Sequence, residues 1–156
     1  MPWAKVRPVV DKNVRKLCFQ EYPNHSKGCP NYGKKDGCPP QAPLIFQTLD
    51  LTAPIYAIWN AYPFGEHVEK MRKKHPDWTH RQLTCCLYWQ GTARKQLKQV
   101  VKDFWANVQG ETSCVVQCPE AQGVNLTATM KSIGIKLEWP PETTAYQIVL
   151  AGKPKG

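Results

Sequence analysis

The chain has 156 residues, enough for one domain with a hydrophobic core of its own, and a formal net charge of +9. Seven cysteines, an odd number, exclude a full set of intrachain disulfides. No run approaches the roughly 18 apolar residues that span a bilayer, and the opening MPWAKVRPVV lacks the apolar core of a signal peptide, so a cytoplasmic protein with reduced thiols and no membrane association is expected.

Fourteen prolines imply many rigid loops. Eight Lys and Arg residues precede Pro40, against Asp11, Glu21 and Asp36. Such a surface favours polyanions: a nucleotide, tRNA or other nucleic acid, or an acidic protein partner. It would also offset a negatively charged cluster, and it keeps a small protein soluble.

Residues 1–17 are basic and weakly patterned, with Val6, Val9 and Val10 suited to a short strand or a packed arm. The next stretch, 18–43, is a cysteine loop containing Cys18, Cys29 and Cys38 among seven Gly and Pro residues between Cys18 and Pro40. Neither helix nor ordinary strand tolerates that density of breakers. A metal or cluster held by thiols is the obvious means of giving it one shape. LIFQTLDL (44–51) reads as a short helix or turn, and APIYAIWNAY (53–62) as a buried strand. A basic helix over 67–75 follows. A long helix capped by Asp77 or Thr79 is then expected, its apolar stripe running from Leu83 through Cys86 and Ala93 to Val108. Arg94, Lys95, Lys98 and Lys102 fall on the opposite face. SCVVQC (113–118) reads as a short central strand, 124–133 as a helix stopped by Gly134, and 144–152 as the last strand. The tail KPKG is read as frayed. The expected fold is α/β: a single small domain, 1–156, with helices packed on a short central sheet and an N-terminal cysteine-rich metal-binding loop.

Sets of three or four thiolates select zinc or iron–sulfur clusters. Ten residues separate Cys18 from Cys29 and eight separate Cys29 from Cys38, so no tight zinc knuckle exists among them. The spacing leans toward a 4Fe–4S cluster, with zinc the alternative. Cys118, at the end of a strand and followed by Pro119, is the candidate fourth ligand. Cys114 is read as a buried small residue, Cys86 as core and Cys85 as a thiol facing a cleft. His25 is either a ligand or proton donor, or a surface histidine. Cys85 and Glu120 are the candidate catalytic pair, a working thiol and a proton carrier; Cys118 is the other candidate for the thiol.

The run GCPNYGKKDGCPP (28–40), preceded by Cys18, resembles an uncharacterised group of bacterial, archaeal and phage proteins described as predicted metal-binding. YWQGTARKQL (88–97), CPEAQGVNLTATMKSIGIKLEWPP (118–141) and YQIVLAG (146–152) are similar to the same group. The resemblance implies a cysteine-ligated site, iron–sulfur in kind, and no particular reaction. Larger members carry a second, ferredoxin-type cysteine cluster toward the C-terminus. Here the cysteines toward the C-terminus are Cys114 and Cys118, beyond the adjacent Cys85 and Cys86, which argues against a two-cluster electron carrier.

Two functions are therefore expected in competition. One is a cluster-dependent enzyme handling sulfur on a nucleotide or tRNA, with one iron left open. The other is a non-catalytic module whose closed metal site supports binding to nucleic acid or a protein. A weaker third is an accessory that passes electrons or metal to a larger enzyme.

Overall fold

A computed structural model describes residues 2–11, 43–108, 114–138 and 141–155. Its centre is a four-stranded antiparallel sheet formed by β1 (Trp3–Lys5), β2 (Tyr56–Tyr62), β3 (Cys114–Val116) and β4 (Ala145–Gly152), in the order β1-β2-β4-β3. The α/β expectation holds. The two longest strands are the β-branched and aromatic runs, and they pair over the whole of β2, from Tyr56↔Ala151 to Tyr62↔Ala145. β3 lies at the edge of this sheet rather than its centre, because it pairs only with Leu150–Gly152. β4 therefore has no described strand beside Ala145–Val149 on that side.

Alternation along the strands sends successive side chains to opposite faces. Ile58, Val149 and Ala151 pack against Phe104 and Leu97 of α4 (Gln90–Asn107). Ala57, Val116 and Leu150 pack on the other face against α1 (Ile45–Thr48), α5 (Leu126–Lys131) and the turn carrying Val124. A third cluster, Phe64, Val68, Leu83 and Ala145, joins α2 (Phe64–Lys74) and α3 (His80–Leu83) to one end of the sheet.

The long helix expected from Thr79 to Val108 is broken in two. Thr79 does cap α3: its N–H donates to Gln82 Oε1 at 2.8 Å, and its hydroxyl accepts from Gln82 N at 3.3 Å. Thr84 then turns its hydroxyl back onto His80 O at 2.9 Å, competing with the helical ladder. Cys85 is extended, with ψ 127, and Cys86–Tyr88 form a single 3-10 turn. The break lets the Trp89 ring stack on Tyr62, centroids 5.3 Å apart, and meet Phe64 edge-on. Cys86 consequently leaves the apolar stripe and is exposed, correcting its core assignment. Gly91 falls in the first turn of α4 with open space around it and makes no kink.

The described residues on either side of the segment 12–42 are packed onto the domain. On its N-terminal side, Val10 bridges Val124, and Asp11 N donates to Gly123 O at 2.7 Å. The buried Thr129 hydroxyl accepts from Val9 N at 2.9 Å and donates to Asn125 O at 2.7 Å. On its C-terminal side, Ile45 and Leu49 are fully buried in the cluster that holds Val124. The tail is not frayed through Lys155: Asp50 N donates to Lys153 O, and Lys155 N to Thr48 O. Gly134, with φ 84, stops the segment after α5 as expected, in a conformation other L residues adopt at a cost.

Candidate functional site

Where β3 ends, the uncovered edge of β4 opens into a cavity of about 450 Å3. One wall is the start of α4, with Trp89, Gln90 and Arg94. The other is the turn from Gln117 to Glu120. Leu126, Leu137, Tyr146 and Ile148 make much of the lining apolar. A polar network locks α4 over the sheet: Asn60 Nδ2 donates to Gln147 Oε1 at 2.9 Å and to Gln96 Oε1 at 3.0 Å. Gln147 Nε2 in turn donates to Ala145 O at 3.0 Å. Gln147, itself a lining residue, is thus held in one orientation.

Cys118 and Glu120 both line this cavity, so the structure brings together two of the residues singled out from sequence. They share a tight 3-10 turn, Pro119–Gln122, closed by Ala121 N donating to Cys118 O at 3.1 Å and Gly123 N to Glu120 O at 3.0 Å. Cys118 is exposed. The turn is too short for a substantial helix dipole, so it lends a Cys118 thiolate little electrostatic support. Glu120 is different: burial pushes its carboxyl above the ordinary 4.5, because the charged form is poorly solvated there.

Cys85 is half-buried and is not among the residues lining the cavity, so it is not brought to Glu120. Cys114 is half-buried against the Val116–Leu150 cluster, as a small packing residue would be. Cys18, Cys29, Cys38 and His25 lie outside the described residues. Among the described residues no three His, Cys, Asp or Glu side chains converge as a metal site. Cys118 is the one cysteine among the described residues that lines the cavity.

Arg94, Gln147, Trp89 and Glu138 line the cavity without having been singled out for it. Gln90 and Arg94 stand one helical turn apart, a spacing that marks a shared face. Glu138 acts as a brace. Its Oε1 accepts from the backbone N–H of Glu142, Thr143 and Thr144, at 3.0, 2.8 and 3.1 Å. Its Oε2 accepts the Thr143 hydroxyl at 2.6 Å. These donors, the Thr143 hydroxyl foremost, pull its carboxyl down to about 2. A carboxylate whose folded value lies below its ordinary 4.5 contributes stability above that pH and loses it as pH falls toward about 2. Glu138→Gln should therefore lower the thermal midpoint at neutral pH and flatten the acid limb between pH 4.5 and 2, the two curves meeting at its acid end. Parallel curves would show that the brace is not formed.

No protein-family model matches the chain, nor does any curated protein or solved structure. Among the described residues no helix is long and apolar enough to cross a membrane.

Proposed function

We propose that this chain binds an iron–sulfur cluster of the 4Fe–4S type through Cys18, Cys29 and Cys38, and uses the cavity lined by Cys118 and Glu120 to act on sulfur in a nucleotide or tRNA. One observation carries the reading: the backbone just before the cysteine loop is hydrogen-bonded to the end of the turn that presents Cys118 and Glu120 to the cavity, through Asp11 N to Gly123 O. Cys18 follows Asp11 by seven positions, a chain reach of at most about 25 Å, and Cys38 precedes the buried Ile45 by seven. These lengths allow the loop thiols to reach the turn that carries Cys118.

The donor chemistry fits the group. Soft thiolates suit iron–sulfur clusters, and a cluster held by three of them leaves an iron able to polarise a bound donor atom. The chain's own residues supply the rest. The cavity is of nucleoside size. Trp89 and Tyr146 offer aromatic surface, and Arg94 offers a cation for an anionic substrate. Gln147 offers fixed amide polarity. Glu120 retains its proton to higher pH than an ordinary carboxyl and can donate it beside the Cys118 thiol.

A second reading draws on the same turn. The exposed Cys118 also suits a fourth ligand, which would close the site and leave a non-catalytic module that binds nucleic acid or an acidic protein. A single zinc is the metal alternative. Anaerobic purification of wild type and Cys118→Ala, with iron, sulfide and zinc analysis, separates these. About four irons and four sulfides kept in the variant, with activity on thiolated nucleotides lost, is the expected result. Loss of the cluster in Cys118→Ala would establish the closed site. One zinc in place of iron would overturn the cluster.

A further inference from the structure

The segment between α2 and α4 builds an aromatic platform that the cavity does not use. The His75 ring lies flat on Trp78, with centroids 3.8 Å apart and planes within 4°. Trp78 meets Tyr88 at 5.0 Å and 34°. The backbone fixes all three: His75 N donates to Met71 O at 2.8 Å, Trp78 N to His75 O at 3.1 Å, and Tyr88 N to Cys85 O at 3.3 Å. Trp78 also packs on the Phe64–Val68–Leu83 cluster, so the stack is rigid from below. Its outer end is open. Tyr88 is 51% exposed and the adjoining Leu87 is 85% exposed.

The elements that carry it are basic. Residues 64–98 carry eight Lys and Arg against three Asp and Glu. Lys70, Lys73 and Lys74 on α2 and Arg81 on α3 are exposed. Among the described residues, the ion pair of this surface is Arg72–Glu69 at 2.9 Å, which leaves those lysines available to another anion. The platform also adjoins the cavity, since Trp89, the residue after Tyr88, lines it.

We propose that this surface binds a single-stranded nucleic acid, with a base stacked on the Tyr88 end of the platform and backbone phosphates on Lys73 and Lys74. Open aromatic faces beside unpaired cations suit unstacked bases and their phosphates together. An acidic peptide would use the lysines but leave the rings idle, and a duplex hides its base faces. The proposal rests on the polynucleotide part of the function above and is independent of its metal part. Metal content with intact binding, or the reverse, tells the two apart.

The test is fluorescence anisotropy of the full chain with a labelled single strand of about twelve nucleotides, RNA and DNA in turn, across a salt series. Binding to either supports the proposal; binding to neither overturns it. Tyr88→Ala should weaken binding about tenfold without changing the salt slope, its folding checked by circular dichroism. Lys73→Gln with Lys74→Gln should weaken binding and reduce the slope by about 1.4, two phosphate contacts' worth. Lys131→Gln with Lys136→Gln, exposed positions on and just beyond α5, should change neither. Unchanged affinity in Tyr88→Ala, equal loss in the α5 pair, or equal binding of a duplex would overturn the proposal. Equal competition by polyglutamate would reassign the surface to an acidic protein.

Discussion

Phe104→Ala is expected to destabilise the fold by about 3–5 kcal/mol, the range for emptying a well-packed aromatic site. Phe104 is fully buried. Its ring meets Trp3 edge-on at 5.8 Å and Tyr56 at 5.3 Å, and it packs with Ile58, Val149 and Ala151. It therefore ties α4 to β1, β2 and β4 at once. Trp3 stands on the three-residue edge strand β1, which has little else to hold it: Trp59 N to Pro2 O at 2.9 Å and its own short ladder. Collapse around the vacated ring is limited because the backbone at Ile58 is paired on both sides, with Trp3 of β1 and Val149 of β4. In a chain of this size the thermal midpoint should drop by about 10 °C, and the urea midpoint should shift with little change in slope. A loss below about 1 kcal/mol would mean that the α4 face is loosely packed.

The same residues mark what sequence could and could not deliver. β2 and β4 are readable because Ile55–Tyr62 and Ala145–Gly152 are dense in residues that suit a pleated, buried surface. Gly134 and Pro119 punctuate the chain for backbone reasons that need no tertiary knowledge. The break at Thr84–Trp89 was hidden, because the apolar stripe continues through Leu83, Cys86 and Ala93 as though the helix did. What interrupts it is a distant demand: Trp89 stacks on Tyr62, a residue 27 positions earlier. Cys118 and Glu120 could be singled out by residue type and position. The cavity they line could not, since its floor comes from Leu137, Tyr146 and Ile148 and its existence from the shortness of β3. Glu138, pulled down to about 2 by turn donors, has no sequence mark at all.

Cys29→Ala is expected to remove most of the iron and sulfide while the sheet stays folded. A site resting on three loop thiolates loses a third of its protein ligands in one substitution, and a remaining pair holds a cluster poorly. Stability has a separate source. Ile45, Leu49, Val124, Met130 and Leu150 pack on one another on one face of the sheet, and Ile58, Phe104, Val149 and Ala151 on the other. A chain of this length can fold on such a core without a metal. The loop's anchors also survive the change, since Asp11–Gly123, Val9–Thr129 and Asp50–Lys153 are hydrogen bonds among residues far from Cys29 in sequence. The checks are iron and sulfide per chain after anaerobic purification, with circular dichroism and a urea titration on the same sample. Cys85→Ala serves as the comparison, because that half-buried thiol stands outside the cavity lining, and it should keep its metal. Full metal retention in Cys29→Ala would place the ligands elsewhere. Loss of metal together with the sheet would mean that the cluster organises the domain, and the core described above would then be insufficient by itself.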